Sequence, residues 1–124
     1  MIIIDTDVLI EILDKKSKRG DEALKKIEDA GEEIAITALN LHEIVYGLYK
    51  YGKKAVKEME QLETLPYARD DALLSAKLEV ECEGKGKKVS RMDAMIAAMA
   101  INRNARVFTF NKKHFRMFSR LSLL

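Results

Sequence analysis

The sequence predicts an α/β fold: one three-layer α/β/α domain built around a mainly parallel central sheet of about five strands. Short runs rich in β-branched residues alternate along the chain with segments of helical periodicity, which is the pattern of successive strand and helix units. The 124 residues contain no internal repeat and no low-complexity linker. A chain of this length holds one hydrophobic core, so residues 1–124 are expected to form a single domain.

The first strand and the first two helices are predicted near the N-terminus. Residues 2–4 are three isoleucines followed by Asp5, which suits a short strand buried on both faces. A helix follows from Asp7. Its apolar stripe consists of Val8, Leu9, Ile12 and Leu13. A second helix is predicted from Asp21, and Gly31 stands where a glycine commonly ends a helix.

The middle of the chain is predicted to continue as a strand followed by two helices. Residues 33–37 alternate between polar and apolar side chains, as a half-buried strand does. Residues 39–52 then return to helical periodicity. The segment 53–64 is predicted as another helix, which Pro66 breaks. The apolar residues of that helix are Val56, Met59 and Leu62.

The last part of the chain is predicted to hold two longer helices and two strands. The first helix, capped by Asp70 or Asp71, stops in a basic loop rich in glycine and lysine. A mostly apolar, alanine-rich helix begins after Ser90 and leads into a strand over 106–110. A short helical turn and then an edge strand over 120–124 complete the predicted fold.

The net charge of +2 hides an uneven distribution along the chain. Residues 84–124 contain 10 Lys and Arg but only one acid, Asp93, whereas most acids lie before residue 84. A basic region of this kind favours a phosphate-bearing partner. The alternative is a solvated basic face that pairs with the acidic part of the same chain.

The location of the protein is predicted from what the sequence lacks. Cys82 is the single cysteine, so no internal disulfide forms. The longest apolar run, residues 94–101, is far shorter than the ~20 residues of a membrane span. The first residues also lack the basic and apolar regions of a secretory signal. We therefore expect a cytoplasmic protein without a membrane partner.

Four polar side chains follow predicted strands or begin predicted helices: Asp5, Glu43, Asp93 and Asn111. Because sites in open parallel sheets lie beyond the carboxyl ends of the strands, these side chains can converge on one edge. Three carboxylates that meet repel one another, so they take up protons or bind a cation. Hard oxygen ligands select Mg²⁺ or Mn²⁺, and an open site of this type suits phosphodiester hydrolysis.

A purely structural role for two of these acids remains open at this point. Asp93 stands three residues after Ser90, and Glu43 stands three residues after Asn40, which are the spacings of helix capping boxes. Asp5 is harder to explain in this way. An acid at the end of a buried strand is costly without a partner, so a functional role is favoured for it.

Four segments, taken in order, resemble the successive motifs of PIN-domain ribonucleases, particularly the VapC-type toxins of type II toxin-antitoxin systems. They are "IIIDTDVLI", "LNLHEIVYGL", "SRMDAMIAAMA" and "VFTFNKKHF". The resemblance spans the whole chain and implies a single PIN-like domain. It also implies an endoribonuclease that hydrolyses RNA phosphodiester bonds with a metal-activated water.

The resemblance also implies roles for individual residues. Asp5, Glu43 and Asp93 match the acids that bind Mg²⁺ or Mn²⁺, and Asn111 matches a fourth catalytic position that is often an aspartate. The hydroxyl positions beside the site match Thr6 and Thr109. The basic tract that would hold the RNA backbone consists of Lys85, Lys87, Lys88, Arg91, Lys112, Lys113 and Arg116.

The same resemblance implies partners: a homodimer, and a cognate VapB-type antitoxin whose C-terminal segment occupies the active-site groove. Tyr46, Tyr49 and Tyr51 either belong to the dimer face or cover the core. His114 could contact phosphate, but an ordinary loop or helix-turn residue with no catalytic role is the favoured interpretation.

Two other functions compete with the nuclease. Asn111 is compatible with a catalytically degenerate PIN-like module that binds RNA or protein. The "IIIDTDV" opening also resembles that of haloacid-dehalogenase-like phosphatases, but no Asp or Glu follows Asp93 to supply their late acidic pair.

Overall fold

The computed structural model describes residues 1–54 and 57–124. Over these residues, five strands form one sheet in which every neighbouring pair is parallel. The strands are β1 (Ile2–Ile4), β2 (Ile34–Thr37), β3 (Glu63–Leu65), β4 (Arg106–Phe108) and β5 (Ser122–Leu123). Their order across the sheet is β3-β2-β1-β4-β5. The predicted parallel sheet of about five strands is confirmed, and β5 lies at an edge as expected.

Helices cover both faces of this sheet, which confirms the three-layer α/β/α architecture. They are α1 (Thr6–Leu9), which continues into a π-helical turn (Ile10–Lys15), α2 (Lys18–Ala30), α3 (Ala38–Lys50), α4 (Lys57–Glu60), α5 (Arg69–Gly84) and α6 (Arg91–Asn102). A 3₁₀ turn (Lys112–His114) follows β4. Helices α1 to α4 pack on one face, and α5 and α6 pack on the other. Within the described ranges, no helix has the length and apolar character needed to cross a membrane.

The central strand β1 supplies both cores because its side chains alternate between the two faces. Ile2 and Ile4 pack with the α1 to α4 layer, whereas Ile3 packs with the α5 and α6 layer, and all three are almost fully buried. Burying an isoleucine side chain contributes roughly 1.5–3 kcal/mol before the cost of ordering it. The three isoleucines therefore anchor the strand that ends at Asp5.

The α5 and α6 layer is held by small side chains and one buried ion pair. Four alanines of α6 are fully buried, so this helix lies close to the sheet. Asp71 near the start of α5 accepts hydrogen bonds from Arg103 at 2.9 Å and from Asn102 at 3.0 Å. Burial raises the pKa of Asp71, but these bonds and the Ala68 N–H outweigh it, and the pKa lies below its ordinary value. Asp71 thus links the start of α5 to the end of α6.

The structure corrects three sequence predictions of local structure. The second helix begins at Lys18 rather than Asp21, because the Ser17 hydroxyl accepts the Gly20 N–H at 3.0 Å and caps it. The helix predicted over 53–64 was wrong: α4 is a single turn. Residues Glu63–Leu65 form β3 because they pair with β2, a long-range contact that the local pattern does not contain. Val56 lies outside the described residues.

The third correction concerns the cap of α5. The helix begins after Ala68, which has no capping side chain, whereas Asp71 accepts the Ala68 N–H at 2.9 Å from inside the first turn. Neither Asp70 nor Asp71 therefore stands at the capping position itself. Asp71 instead satisfies one backbone donor while its other contacts reach α6.

Candidate active site

The candidate site lies at the carboxyl ends of β1, β2 and β4. The chain proceeds from β1 to β2 and β3 on one side, and β4 and β5 lie on the other, so the order of strands reverses between β1 and β4. Asp5 follows β1, and Thr109 follows β4. The Thr109 hydroxyl donates to Asp5 Oδ2 at 2.8 Å. This hydrogen bond crosses the point where the strand order reverses.

The Asp5 carboxylate is held by donors from three parts of the chain. Its Oδ1 accepts the Thr6 N–H at 2.9 Å and the Asn40 Nδ2 at 3.1 Å, in addition to the bond from Thr109 to Oδ2. Three donors fix the orientation of the carboxylate. Because the donors come from the α1, α3 and β4 regions, the position of Asp5 depends on the whole sheet edge.

Asn40 is the buried residue that joins α3 to this edge. The Thr37 hydroxyl accepts the Asn40 N–H at 3.0 Å, and the Asn40 carboxamide oxygen accepts the Thr37 N–H at 3.3 Å, which is a capping box. The other end of the same carboxamide donates to Asp5 and, at 3.1 Å, to the Thr6 hydroxyl. The capping box therefore pairs Asn40 with Thr37. The spacing in the sequence had instead predicted a capping box between Asn40 and Glu43.

All four side chains singled out from the sequence line one open cleft of about 320 Å³. Glu43 on α3 accepts the Thr6 hydroxyl at 3.0 Å. Asp93 lies in the first turn of α6, where its N–H donates to the Ser90 hydroxyl at 3.0 Å. The polar residues of the cleft are Asp5, Thr6, Asp7, Glu43, Ser90, Asp93, Asn111 and His114. Thr109 supports Asp5 from beneath.

The carboxylates of the cleft destabilise one another's charged forms. Burial raises the pKa of Glu43, and repulsion from Asp5 and Asp93 adds to that effect. Burial likewise raises the pKa of Asp93, with a further contribution from Asp5. The cleft therefore has an excess of negative charge that a proton or a cation would relieve.

Asp7 is a member of this cleft that the sequence analysis missed. Its Oδ2 accepts the Phe110 N–H and the Asn111 Nδ2, both at 3.2 Å. Its Oδ1 is buried, and no group of the described residues donates a hydrogen bond to it. Burial and the charge of Asp5 raise the pKa of Asp7. The signal in the sequence was the Asp-x-Asp spacing, which places a second acid within reach of the first.

The donor set of the cleft fits a hard divalent cation. Within residues 1–54 and 57–124, no three His, Cys, Asp or Glu side chains are gathered into a ready-made ion cage. The acidic residues Asp5, Asp7, Glu43 and Asp93 nevertheless all line one polar cleft, and the buried Asp7 Oδ1 accepts no hydrogen bond from the described residues. The residues that could hold Mg²⁺ or Mn²⁺ there are Asp5, Glu43 and Asp93.

His114 also lies in the cleft, although sequence reasoning favoured an ordinary loop residue at that position. Its Nδ1 is 3.9 Å from Asp93 Oδ2, and the 3₁₀ turn after β4 carries it over the acids. The contact depends on how that turn packs against α6. No local pattern in the sequence specifies it.

The structure places the residues of the predicted basic tract on different parts of the surface. Lys88 lines a small recess that adjoins the cleft through Ser90, Asp93 and His114. Three others, Lys112, Lys113 and Arg116, line a separate groove that adjoins the cleft at Asn111. The remaining members of the tract are Lys85, Lys87 and Arg91, which line neither the recess nor the groove. The Arg91 Nε instead donates to Glu79 at 3.2 Å.

Comparison with known proteins gives a consistent result along the whole chain. The family model of the PIN domain matches residues 2–121. Ribonuclease VapC2 of Rickettsia felis is 27% identical over 129 aligned positions, which cover 98% of this chain and 94% of that protein.

Solved structures extend this comparison. The crystal structure of VapBC2 from Rickettsia felis bound to a promoter DNA fragment superposes with a TM-score of 0.79 at 26% identity, covering 100% of this chain and 98% of the other. VapBC-5 from Mycobacterium tuberculosis, a member of the VapBC family of toxin-antitoxin systems, superposes with a TM-score of 0.67 at 25% identity. That alignment covers 98% of this chain and 94% of the other.

Proposed function

The chain belongs to the PIN domain family, and we propose that it is a divalent-metal-dependent endoribonuclease that acts as a VapC-type toxin. The observation that carries this proposal is the meeting of Asp5, Glu43 and Asp93 in one cleft at the edge where the strand order reverses. The name of the Rickettsia felis relative supports an RNA substrate. The family match favours this function over that of a haloacid-dehalogenase-like phosphatase.

In the proposed mechanism, Asp5, Glu43 and Asp93 would hold Mg²⁺ or Mn²⁺, with Asn111 beside them at the rim of the cleft. When bound, the cation polarises the phosphate and lowers the pKa of water. Thr109 and Asn40 fix Asp5 by direct hydrogen bonds, and the Thr6 hydroxyl orients Glu43. These contacts orient Asp5 and Glu43 before substrate binds.

Cleavage of RNA in the presence and absence of free divalent cation tests this function. We expect the purified chain to cleave single-stranded or structured RNA with Mg²⁺ or Mn²⁺, and to lose that activity in EDTA. Activity that persists in EDTA would rule out the metal mechanism. RNA binding without any cleavage would instead favour a catalytically degenerate binding module.

An antitoxin partner is proposed from an apolar groove beside the cleft. This groove, of about 230 Å³, is lined by apolar side chains of α1, α3 and α4 and adjoins the cleft at Ile10 and Glu43. An extended peptide seated in the groove would reach the acids directly. The VapBC assemblies among the structural relatives support a VapB-type antitoxin as the occupant.

A homodimer is proposed as the assembly state. Tyr46, Tyr49 and Tyr51 are well exposed at the end of α3, so they do not cover the core of this chain. Tyrosine side chains, which combine an apolar ring with a polar hydroxyl, are common at protein interfaces. This exposure supports the dimer-face alternative for the three tyrosines.

The basic tract is predicted to contribute affinity without chemistry. Reversing Lys87, Lys88 and Lys112 to glutamate should weaken RNA binding and flatten its dependence on salt, because fewer counterions are released. Each lost phosphate contact lowers the slope of log K against log salt by about 0.7 for a single strand. Fluorescence anisotropy at several salt concentrations measures this slope.

The matched control for this experiment reverses three exposed lysines that line neither the cleft, nor the recess beside Lys88, nor the groove beside Lys112. They are Lys50, Lys57 and Lys77. The control changes the net charge by the same amount, so it measures how much the overall charge of the protein contributes to RNA binding. Equal slopes for the two triple variants would place the RNA elsewhere on the surface.

Replacing Asn111 by aspartate is predicted to tighten binding of Mg²⁺ or Mn²⁺. The Asn111 amide donates to Asp7, so the substitution removes that bond and adds a negative charge at the rim of the cleft. Most of the Coulombic gain is offset by desolvation and repulsion, which leaves on the order of 1 kcal/mol, or several-fold in affinity. Calorimetric titration with Mn²⁺ measures the change.

Asn111→Ala is the control for this titration, because it removes the same amide donor without adding charge. We expect the alanine variant to bind Mn²⁺ no more tightly than the unmodified chain. If the aspartate variant also shows unchanged affinity and stoichiometry, Asn111 does not contribute to a metal site.

A further inference from the structure

A second concave surface, which we call the basic groove, adjoins the cleft and lies between α2 and the chain after β4. It has a volume of about 580 Å³. Five basic side chains line it: Arg19, Lys26, Lys112, Lys113 and Arg116. The first two come from α2, so the groove joins two distant parts of the sequence.

The charges of the basic groove are available to an external anion. Glu22 is the one acid among its lining residues. Among residues 1–54 and 57–124, no carboxylate oxygen lies within 4.0 Å of the charged nitrogens of the five basic side chains. A concave surface with such an excess of positive charge attracts a polyanion such as a nucleic acid backbone.

The basic groove also presents flat π surfaces. The Arg19 guanidinium lies over the Phe110 ring, 3.7 Å from its centroid, and Phe110 meets Phe108 edge-on at 6.0 Å. Arginine planes and aromatic rings are the surfaces on which unpaired bases stack, whereas the bases of a duplex are already stacked on one another. The combination of charge and stacking surface favours a single strand.

The basic groove and the cleft are adjacent. Asn111 lines both, and hydrogen bonds from Phe110 N–H and Asn111 Nδ2 to Asp7 fix the wall between them. The recess lined by Lys88 also adjoins the cleft, at Ser90, Asp93 and His114. A strand bound across the acids would therefore meet positive charge from both neighbouring surfaces.

We infer that the basic groove binds the nucleotides of a single-stranded RNA that lie next to the cleaved phosphodiester, with phosphates on Lys26 and Lys112 and a base against Arg19. The inference rests on the proposed ribonuclease function. It adds α2 to the RNA surface, a helix that the basic tract of the sequence does not include. It also predicts that the RNA bases bound in the basic groove are unpaired.

The test compares two neighbouring lysines of α2. Lys25 and Lys26 are both exposed, but only Lys26 lines the basic groove. A fluorescent single-stranded RNA of about 12 nucleotides is titrated, in EDTA, with full-length chains that carry Asp5→Asn together with Lys25→Glu or Lys26→Glu. We expect Lys26→Glu to weaken binding on the order of fivefold relative to Lys25→Glu and to lower the salt slope by about 0.7.

A third variant separates stacking from charge. Arg19→Lys keeps the positive charge but loses the planar guanidinium, so we expect several-fold weaker binding of the single strand with an unchanged salt slope. A duplex of the same length should bind more weakly than the single strand. Circular dichroism verifies that every variant is folded.

Equal affinities and slopes for Lys25→Glu and Lys26→Glu would overturn the inference, whether or not the unmodified chain cleaves RNA. Equal affinity for duplex and single strand would overturn the assignment of an unpaired substrate. The titration does not depend on cleavage, so it tests RNA binding separately from hydrolysis. If the unmodified chain does not cleave RNA but Lys26→Glu still weakens binding, the proposed hydrolysis is contradicted and the basic groove is still an RNA-binding site.

Discussion

Replacing Asp5 by asparagine is expected to lower RNA cleavage by on the order of 100-fold or more. The carboxylate lies at the point where the strand order reverses and accepts three hydrogen bonds, from Thr6, Asn40 and Thr109. Asparagine has nearly the same shape, so it fits the same space, but it removes a full negative charge from the proposed cation site. The loss should therefore appear in catalysis rather than in the fold.

The same substitution, which is expected to lower activity, is not expected to lower stability. Asp5 contributes to raising the pKa of Asp7, Glu43 and Asp93, so its charge opposes the ionised forms of three neighbours. Without divalent cations, removing this charge should leave the melting temperature unchanged or raise it. A residue with a purely structural role would show the reverse, with lower stability and no selective loss of activity.

Two measurements decide this prediction: single-turnover cleavage with Mg²⁺ and thermal unfolding in EDTA. Asp29→Asn is the matched control, because Asp29 is an exposed acid on α2 that lines neither the cleft nor the basic groove. Thr109→Val keeps the charge of Asp5 and removes one of its donors, so a smaller loss, about tenfold, is expected. Undiminished cleavage by a folded Asp5→Asn chain would contradict the proposed site.

The sequence could predict the position of Asp5 and Asn111 because Asp5 directly follows the buried strand β1 and Asn111 lies three residues after the end of β4. Once strands of this type pair, their carboxyl ends must meet at one edge, and the residues that follow them become neighbours. The early position of Glu43 and Asp93 in helices that start from the same edge extends the prediction to four residues. This part of the site follows from topology alone.

The supporting contacts could not be predicted in the same way. Asn40 has the spacing of a capping residue, and nothing local reveals that its carboxamide also reaches Asp5 across 35 residues. Similarly, the basic groove depends on Arg19 and Lys26, which belong to a helix whose sequence indicates only an amphipathic surface element. These contacts arise from how helices pack on the sheet, and a local pattern carries no information about that.

Gly20 is the position where tertiary packing reverses a local expectation most strongly. Sequence reasoning began the second helix at Asp21, so this glycine lay outside it, but the structure places it within the first turn of α2. By helix propensity alone, alanine would be more stable than glycine there by about 1 kcal/mol. A Cβ at this position, however, would lie 2.2 Å from the carbonyl oxygen of Glu11 and 2.6 Å from its carbonyl carbon.

We therefore expect Gly20→Ala to destabilise the protein by about 3 kcal/mol, because the clash is with backbone and not with a side chain that could rotate away. The Glu11 carbonyl also accepts the Ser17 N–H at 3.2 Å, so moving it disturbs the connection between the π-helical turn and α2. Urea unfolding measures the free energy change. Gly20→Ala should also weaken RNA binding, since α2 carries Arg19 and Lys26.

The chain supplies its own control in Gly47, a helical glycine of α3. An added Cβ there meets nothing within 4 Å, so Gly47→Ala should show the ordinary helix preference and stabilise by up to about 1 kcal/mol. The two substitutions are chemically identical and both lie in helices, so the difference between them isolates the close approach of α2 to Glu11. If Gly20→Ala is as stable as Gly47→Ala, that approach does not constrain the fold, and the wall of the basic groove formed by α2 is less fixed than the structure indicates.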